Sequence, residues 1–187
     1  MNEIRPQTRD AILEAAFQVF GRDPGASLSD VASRAGVGRA TLHRHFKGRD
    51  DLMVALAHRA LEELDQAVEA ATKDAASYGE ALRSSLETIV PLADRHGFLS
   101  REPVEDDPQV MAGYRRQQEE LAEAVDAAKA EGCFGAEVPT PWIVQAFEGL
   151  IYAAWELVRA GEATPRQASA WAWRTLTQGL GGAGDDR

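Results

Sequence analysis

The stretch AGVGRATLHRHF, residues 35–46, decides how the first part of this chain folds. Its Gly-Val-Gly corner separates two short helical patterns, because Gly36 readily takes the left-handed conformation that ends a helix. The pattern before the corner predicts a helix over residues 28–35, and the pattern after it predicts a helix over residues 39–46. Two helices this short are not stable alone. They must therefore pack against neighbouring helices as a helix-turn-helix motif.

The residues before this motif predict a supporting helix and a helix start. Apolar residues recur on one helical face over residues 8–20. Ser27 is typical of an N-cap, and Asp30 completes a capping box in which an acid replaces the usual glutamate. We therefore expect a three-helix unit over residues 1–50.

Charge is unevenly distributed along the chain. The formal net charge is -10 over 187 residues, yet residues 1–60 carry nine Lys or Arg and only seven Asp or Glu. Between Arg34 and Arg49 there are five basic residues, two histidines and no acid. Such a run can be a solvated face or a surface for a polyanion. The helix-turn-helix pattern favours double-stranded DNA, because the second helix of that motif enters the major groove.

Two apolar residues of the second helix indicate which of its faces is free. Leu42 and Phe46 are four residues apart and are expected to point inward. The other residues of this helix can then donate to base edges and phosphates. The first turn of the next helix offers backbone N–H groups to a phosphate, reinforced by Lys47 and Arg49.

The runs AILEAAFQVF and SLSDVASRAGVGRATLHRHFKGRDDLMVAL, within residues 11–56, resemble the DNA-binding domain of the TetR family of bacterial transcriptional regulators. Carried over position by position, the resemblance implies phosphate contacts for four residues and base-facing places for three. The phosphate contacts are Ser27, Thr41, His43 and Arg49, and the base-facing residues are Arg39, Ala40 and Arg44. With Lys47, they form the set of eight candidate DNA-binding residues.

Two positions depart from the usual pattern of the family. Where this chain has His43, the family usually has tyrosine, so the chemistry of a backbone contact changes. Where it has Gly38, the family usually has serine, and the lost N-cap hydroxyl costs roughly a few tenths of a kcal/mol. Neither departure prevents the fold.

Residues 51–187 predict a second helical domain, so the fold class is all-α. A long helix over residues 50–73 connects the two domains, and Pro91 should kink or end the helix that starts near residue 78. Residues 95–108 are expected to form a loop or a broken turn. Further helices are expected over residues 108–131, over residues 141–160 and from residue 165 onward.

The final helix pair indicates self-association. Over residues 141–160 almost every position is apolar, which is more than one monomer covers on a surface helix. The resemblance implies that this pair forms a four-helix dimer interface with its counterpart. The four tryptophans of the chain lie here and suit an interface or a ligand pocket: they are Trp142, Trp155, Trp171 and Trp173.

A mostly apolar small-molecule effector is the other expected partner. Large apolar side chains with a few polar tips, contributed by several helices, are the usual lining of a ligand pocket. The six candidates are Phe98, Tyr114, Gln118, Phe147, Tyr152 and Trp155. Since Gln118 falls on an apolar stripe, we expect it to have an internal hydrogen bond, to lie at a wet edge or to face a ligand.

Other classes of function find little support in the sequence. There is no Gly-rich phosphate loop, nucleophile elbow or carboxylate-histidine cluster, so neither catalysis nor a cofactor is expected. His43 and His45 lie on different sides of their helix and cannot bind one metal ion together. The acids Glu148 and Glu156 argue against a membrane helix. One cysteine and a charged N-terminus predict a cytoplasmic location.

The sequence therefore predicts a ligand-responsive homodimeric repressor. It would bind a palindromic operator through its third helix and be released by the effector. The alternative is an all-helical small-molecule-binding protein or enzyme that no longer reads DNA.

Overall fold

A computed structural model describes residues 6–101 and 107–179 of the chain. All regular structure in these ranges is helical, as predicted, and none of the helices there could span a membrane. Nine α-helices occur in the described ranges: α1 (Pro6–Arg22), α2 (Leu28–Arg34), α3 (Arg39–His45), α4 (Arg49–Thr72), α5 (Tyr78–Ile89), α6 (Ala93–His96), α7 (Pro108–Ala130), α8 (Thr140–Arg159) and α9 (Pro165–Gln178). Short 3-10 segments, Val90–Leu92 and Gly97–Arg101, precede and follow α6.

The chain folds into two compact units that do not divide at residue 50. The first unit draws on Met1–Glu63 and Asp94–Tyr114, and the second on Leu64–Ala93 and Arg115–Arg187. The first half of α4 joins the first unit because its apolar side chains, among them Leu56, fill the core of that unit. The roles assigned to residues 1–50 and 51–187 stay predictions.

The corner between α2 and α3 has the predicted geometry. Gly36 has φ of +67°, the left-handed conformation. Its N–H donates to the carbonyl of Ser33 at 3.2 Å, and the N–H of Val37 donates to the carbonyl of Ala32 at 3.0 Å. This pair of bonds is a Schellman motif. Gly38 then precedes α3 without a side-chain cap, as its lack of a hydroxyl requires.

Reciprocal capping boxes open α2 and α9. At the start of α2, the N–H of Asp30 donates to the Ser27 hydroxyl at 3.3 Å, and the N–H of Ser27 donates to the Asp30 carboxylate at 2.8 Å. Thr164 and Gln167 form the same reciprocal pair at the start of α9, at 3.3 and 3.0 Å. Local side-chain chemistry therefore sets where both helices begin.

Phe98, one of the predicted ligand-binding residues, lies in the core of the first unit. Its side chain is 1% exposed, and its ring centroid lies 6.2 Å from that of Phe17 and 5.9 Å from that of Phe20. The 3-10 segment Gly97–Arg101 brings it there. The described part of the expected loop over residues 95–108 is thus largely helical, and residues 102–106 lie outside the described ranges.

The α-helical hydrogen bonding is interrupted at Pro91, and the interruption lets a side chain of α8 bond the last residue of α5. The helix α5 ends at Ile89, as the proline predicts. The N–H of Ala93 donates to Val90 in the 3-10 segment, so it does not serve the carbonyl of Ile89 as it would in a continuous helix. The indole N–H of Trp155, in α8, donates to that carbonyl instead, at 3.2 Å.

His96 is a buried ionisable group in the first unit. Its side chain is 2% exposed, and its ring centroid lies 5.5 Å from that of Phe17. Its Nε2 is 3.0 Å from the Glu63 carboxylate, while its Nδ1 is buried with no hydrogen-bond partner in the described structure. Burial lowers the pKa of His96 because it disfavours the imidazolium more than the carboxylate favours it.

We predict that the free energy of unfolding falls as the pH drops from about 7.5 to about 5.5, and that His96→Gln flattens this dependence. The unfolded chain takes up a proton near the ordinary histidine pKa of 6.5, whereas the folded chain resists protonation of His96. Neutral His96 therefore adds to the free energy of unfolding above that pH, and this contribution is lost as the pH falls below it. Urea unfolding at fixed ionic strength measures this, with His58→Gln as the control. Equal slopes for wild type and His96→Gln would contradict the prediction.

Candidate nucleic-acid interface

The helix α3 is anchored on one side and open on the other. Leu42 and Phe46 are each 1% exposed and belong to the core of the first unit, as predicted. The remaining residues from Arg39 onward are exposed or half-buried: Arg39, Ala40, Thr41, His43, Arg44 and His45. The face of α3 that these six residues form is therefore basic. Among the described residues, no group of three or more His, Cys, Asp or Glu could hold a metal ion.

Arg39 lies over the start of α2. Its Nε and Nη2 donate to the Ser29 hydroxyl at 3.0 and 2.7 Å. A cleft of about 300 Å³ beside this contact is lined by Ser27, Leu28, Ser29, Arg39, Leu42 and His43. Three of the predicted DNA-binding residues therefore share one recess at the surface.

Arg44 is oriented along α3 by a neighbour on the same face. Its Nη2 donates to the Thr41 hydroxyl at 2.9 Å. Residues three apart lie side by side on a helix. A guanidinium has five N–H donors, so this contact leaves Arg44 able to pair with the edge of a guanine or with a phosphate. Ala40 is exposed beside them and adds no polar group to the face.

The hydroxyl of Ser27 is engaged within the chain. It accepts from the N–H of Asp30 and donates to its carboxylate at 2.6 Å. This hydrogen bond is the main reason that the pKa of Asp30 is lowered. The phosphate contact that the resemblance implies for Ser27 stays a prediction.

Lys47 precedes α4 with an exposed side chain. Its backbone N–H donates to the Asp51 carboxylate at 2.8 Å, so this N–H is already paired. Asp50 and Asp51 both lie in the first turn of α4, where their charge opposes the attraction of the helix dipole for an anion. The ammonium group is therefore what Lys47 can offer to a phosphate.

The side chain of Arg49 points toward the core of the first unit. Its guanidinium lies 4.5 Å from the centroid of the Phe20 ring. Its Nη1 and Nη2 donate to the carbonyls of Ala26 and Pro24 at 2.9 and 2.6 Å. These contacts tie the loop between α1 and α2 to the start of α4. The phosphate contact implied for Arg49 stays a prediction.

The six predicted ligand-binding residues are divided between the two units. Phe98 and Tyr114 belong to the first unit, and the others to the second. Within the second unit the ring of Tyr152 meets that of Trp155 edge to face, with centroids 5.7 Å apart, and Phe147 is buried. The ligand contacts of all six residues stay predictions.

Glu148 is a polar residue of the second unit that is not among the six predicted ligand-binding residues. Its carboxylate accepts from Nε2 of Gln118 at 3.2 Å and from Nε2 of Gln145 at 3.3 Å. Gln118 is exposed and has this hydrogen bond within the chain, so it lies at a wet edge and needs no ligand as its partner. Burial, and then the charge of Glu148, raise the pKa of Tyr152. The sequence signal for Glu148 was an acid within an otherwise apolar helix.

A short, well-anchored helix with a basic outer face, preceded by a capped helix and a Schellman corner, defines a helix-turn-helix DNA-binding protein. Residues 12–56 match the family described as bacterial regulatory proteins, tetR family. The HTH-type transcriptional repressor LfrR of Mycolicibacterium smegmatis is 34% identical over 158 residues, which are 84% of this chain and 82% of LfrR. The chain belongs to the TetR family of bacterial transcriptional regulators.

Solved structures agree with this assignment. The crystal structure of the TetR-like transcriptional regulator LfrR from Mycobacterium smegmatis in complex with proflavine has a TM-score of 0.80 and 31% identity, covering 93% of this chain and 96% of that one. The fatty acid degradation regulator FadR from Bacillus halodurans shares the fold, with a TM-score of 0.76 at 20% identity over 94% and 97% of the two chains. Members of the family are transcriptional regulators and not enzymes, which confirms the prediction that this chain is not an enzyme.

We predict that Arg44→Ala weakens binding to a preferred duplex by roughly 5- to 150-fold and relaxes the base preference at one position, because a base-contacting arginine contributes about 1–3 kcal/mol. Lys47→Ala should weaken binding to all sequences by a similar factor. The slope of log affinity against log salt concentration should fall by about one, the value for one lost phosphate contact. Fluorescence anisotropy across a salt series and a panel of single-base variants measures both.

Arg34→Ala is the matched control for these two variants. Arg34 is exposed on α2 and donates to the side-chain oxygen of Gln18 at 2.8 Å. A loss of affinity with Arg34→Ala as large as that with Arg44→Ala would contradict the assignment of α3 as the base-reading helix.

Proposed function

We propose that this chain is a homodimeric repressor that binds a two-fold-symmetric operator through α3 and leaves it when a small effector binds. The basic open face of α3, held in place by Leu42 and Phe46, is the observation that carries the proposal. In a symmetric dimer the two copies of α3 enter successive major grooves on one side of the duplex, about 34–36 Å apart. The relative LfrR is named as a repressor, which favours repression.

Exposed aromatic side chains on α8 and α9 support the homodimer. Trp142 is 70% exposed and Trp171 is 44% exposed. A groove of about 570 Å³ beside Trp142 has apolar walls that include Ile143, Leu150 and Leu176. Aromatic side chains around an apolar groove are typical of protein interfaces. Two such helix pairs can pack into a four-helix bundle, in which the same patch is used by both copies.

Gly149 offers a precise test of this face. It lines the groove, and a Cβ atom at this position would meet nothing within 4 Å in the monomer. We predict that Gly149→Arg converts the dimer into a monomer and weakens operator binding by at least about tenfold, because the long side chain would occupy space needed by the partner. Sedimentation velocity at micromolar concentration and anisotropy measure the two effects.

Gly149→Ala is the control for this experiment. It adds only a methyl group in open space and removes a glycine from a helix interior, so helicity and dimer formation should be kept. A wild-type protein that is monomeric at micromolar concentration would refute the homodimer. A Gly149→Arg dimer as tight as wild type would place the interface elsewhere.

The proposed effector is an aromatic molecule with a positive charge. LfrR was solved with proflavine, a planar aromatic cation. In this chain, Glu148 provides a half-buried carboxylate next to Tyr152 in the second unit. Residues 61–187 carry 23 acidic and 11 basic residues, which attracts cations. An effector can release DNA only if it binds the non-binding conformation more tightly.

We predict that proflavine quenches the tryptophan fluorescence of the chain and releases labelled operator over the same concentration range. Glu148→Gln should weaken both effects about tenfold, since a charge partner is lost. Glu123→Gln, an exposed acid on α7, is the control and should leave both unchanged. Release without saturable binding, or equal weakening by the two variants, would contradict the proposal.

A further inference from the structure

Arg95, from α6, bridges two carboxylates on two other helices of the first unit. Its Nε and Nη2 donate to Glu63, in α4, at 2.8 Å each. Its Nη1 and Nη2 donate to Glu14, in α1, at 3.1 and 2.8 Å. The guanidinium also lies 4.2 Å from the centroid of the Phe17 ring. Arg95 therefore connects α1 with α4, in addition to the pair of Arg59 in α4 with Asp10 in α1.

Both carboxylates are held in their charged form. The hydrogen bond from Arg95 is the main cause of the lowered pKa of Glu14. Burial raises the pKa of Glu63, but the hydrogen bonds from Arg95 and His96 together outweigh it, and the net shift is downward. Glu63 in turn raises the pKa of Arg95. The cluster thus has two negative charges around one positive charge at neutral pH.

Removal of Arg95 would leave like charges facing each other. Both carboxylates accept from the same Nη2 of Arg95 at 2.8 Å, so their negative charges lie close together and repel each other. Without the guanidinium between them, this repulsion would act between α1 and α4. These two helices supply Phe20 and Leu52 to the core that also buries Leu42 of α3 and Phe46, the residue that follows α3. A change in their spacing is therefore transmitted to α3.

We propose that Arg95 is a positioning residue for operator binding. By neutralising Glu14 and Glu63, it sets the spacing of α1 and α4 on which the orientation of α3 depends. Arg95 lies outside the segment 12–56 that matches the family. The chain on either side of residues 94–114 belongs to the second unit, so the positioning charge comes from a segment inserted into the first unit.

The test separates charge repulsion from a general loss of packing. The probe is a fluorescein-labelled duplex that the wild-type protein selects from a random pool. Arg95→Gln should weaken binding to this duplex by about tenfold. The double variant Arg95→Gln, Glu14→Gln should recover to within about threefold of wild type, because one of the two repelling charges is gone. Glu14 is the better choice for the second change because Glu63 also bonds His96.

Three further variants complete the experiment. Arg95→Lys keeps the charge and should bind within about threefold of wild type. Glu14→Gln alone should also stay close to wild type. Arg83→Gln breaks an exposed pair with Glu87 at 2.9 Å in the second unit and should change nothing. Circular dichroism checks that each variant keeps its helices.

Two outcomes would overturn the proposal. In the first, Arg95→Gln binds the duplex as tightly as wild type. In the second, the double variant binds no better than Arg95→Gln, which is the result expected if Arg95 serves only packing. If Arg95→Gln alone does not fold, a double variant that folds and binds supports the repulsion mechanism, and one that also fails to fold overturns it.

Discussion

The basic face of α3 depends on the burial of two side chains, Leu42 and Phe46. The helix α3 has seven residues and no side-chain cap at its start, so it cannot persist by its own hydrogen bonds. Its position is set by the core into which those two side chains insert. That core is built from α1, from the first half of α4 and from Phe98, which comes from a distant part of the chain. Whatever holds this core together also orients the basic face.

The parts of the fold that the sequence predicts well are those governed by local chemistry. Ser27 with Asp30 is a capping box because the two residues are three apart, and this spacing is visible in the sequence. Gly36 ends α2 and Pro91 ends α5 for reasons of backbone geometry that need no tertiary contact. The inward side of α3 follows from the spacing of its apolar residues. These signals were sufficient for the helix-turn-helix and for the all-α class.

The contacts that the sequence does not predict join residues far apart in the chain. Arg95 with Glu14, and Gln118 with Glu148, obey no spacing rule, since the fold alone brings them together. Phe98 illustrates the same limit, because an aromatic residue in an irregular segment suits a core and a pocket equally well. The inward orientation of Arg49 is also tertiary, since it depends on the position of the Phe20 ring and of two loop carbonyls. The helix α4 is continuous through residues 49–72, so its sequence does not reveal that its first half packs into the core of the first unit.

Within the seven residues of α3, the side chains that hold the helix and the side chains that face outward are different sets. Arg39, Ala40 and Arg44 are exposed and contribute nothing to the core, whereas Leu42 is buried. Substitutions on the outer face are therefore nearly neutral for folding, because surface changes away from special features usually cost less than about 0.5 kcal/mol. Under the proposed function, a duplicated copy of this gene could change its target sequence at those positions while it keeps the core beneath them.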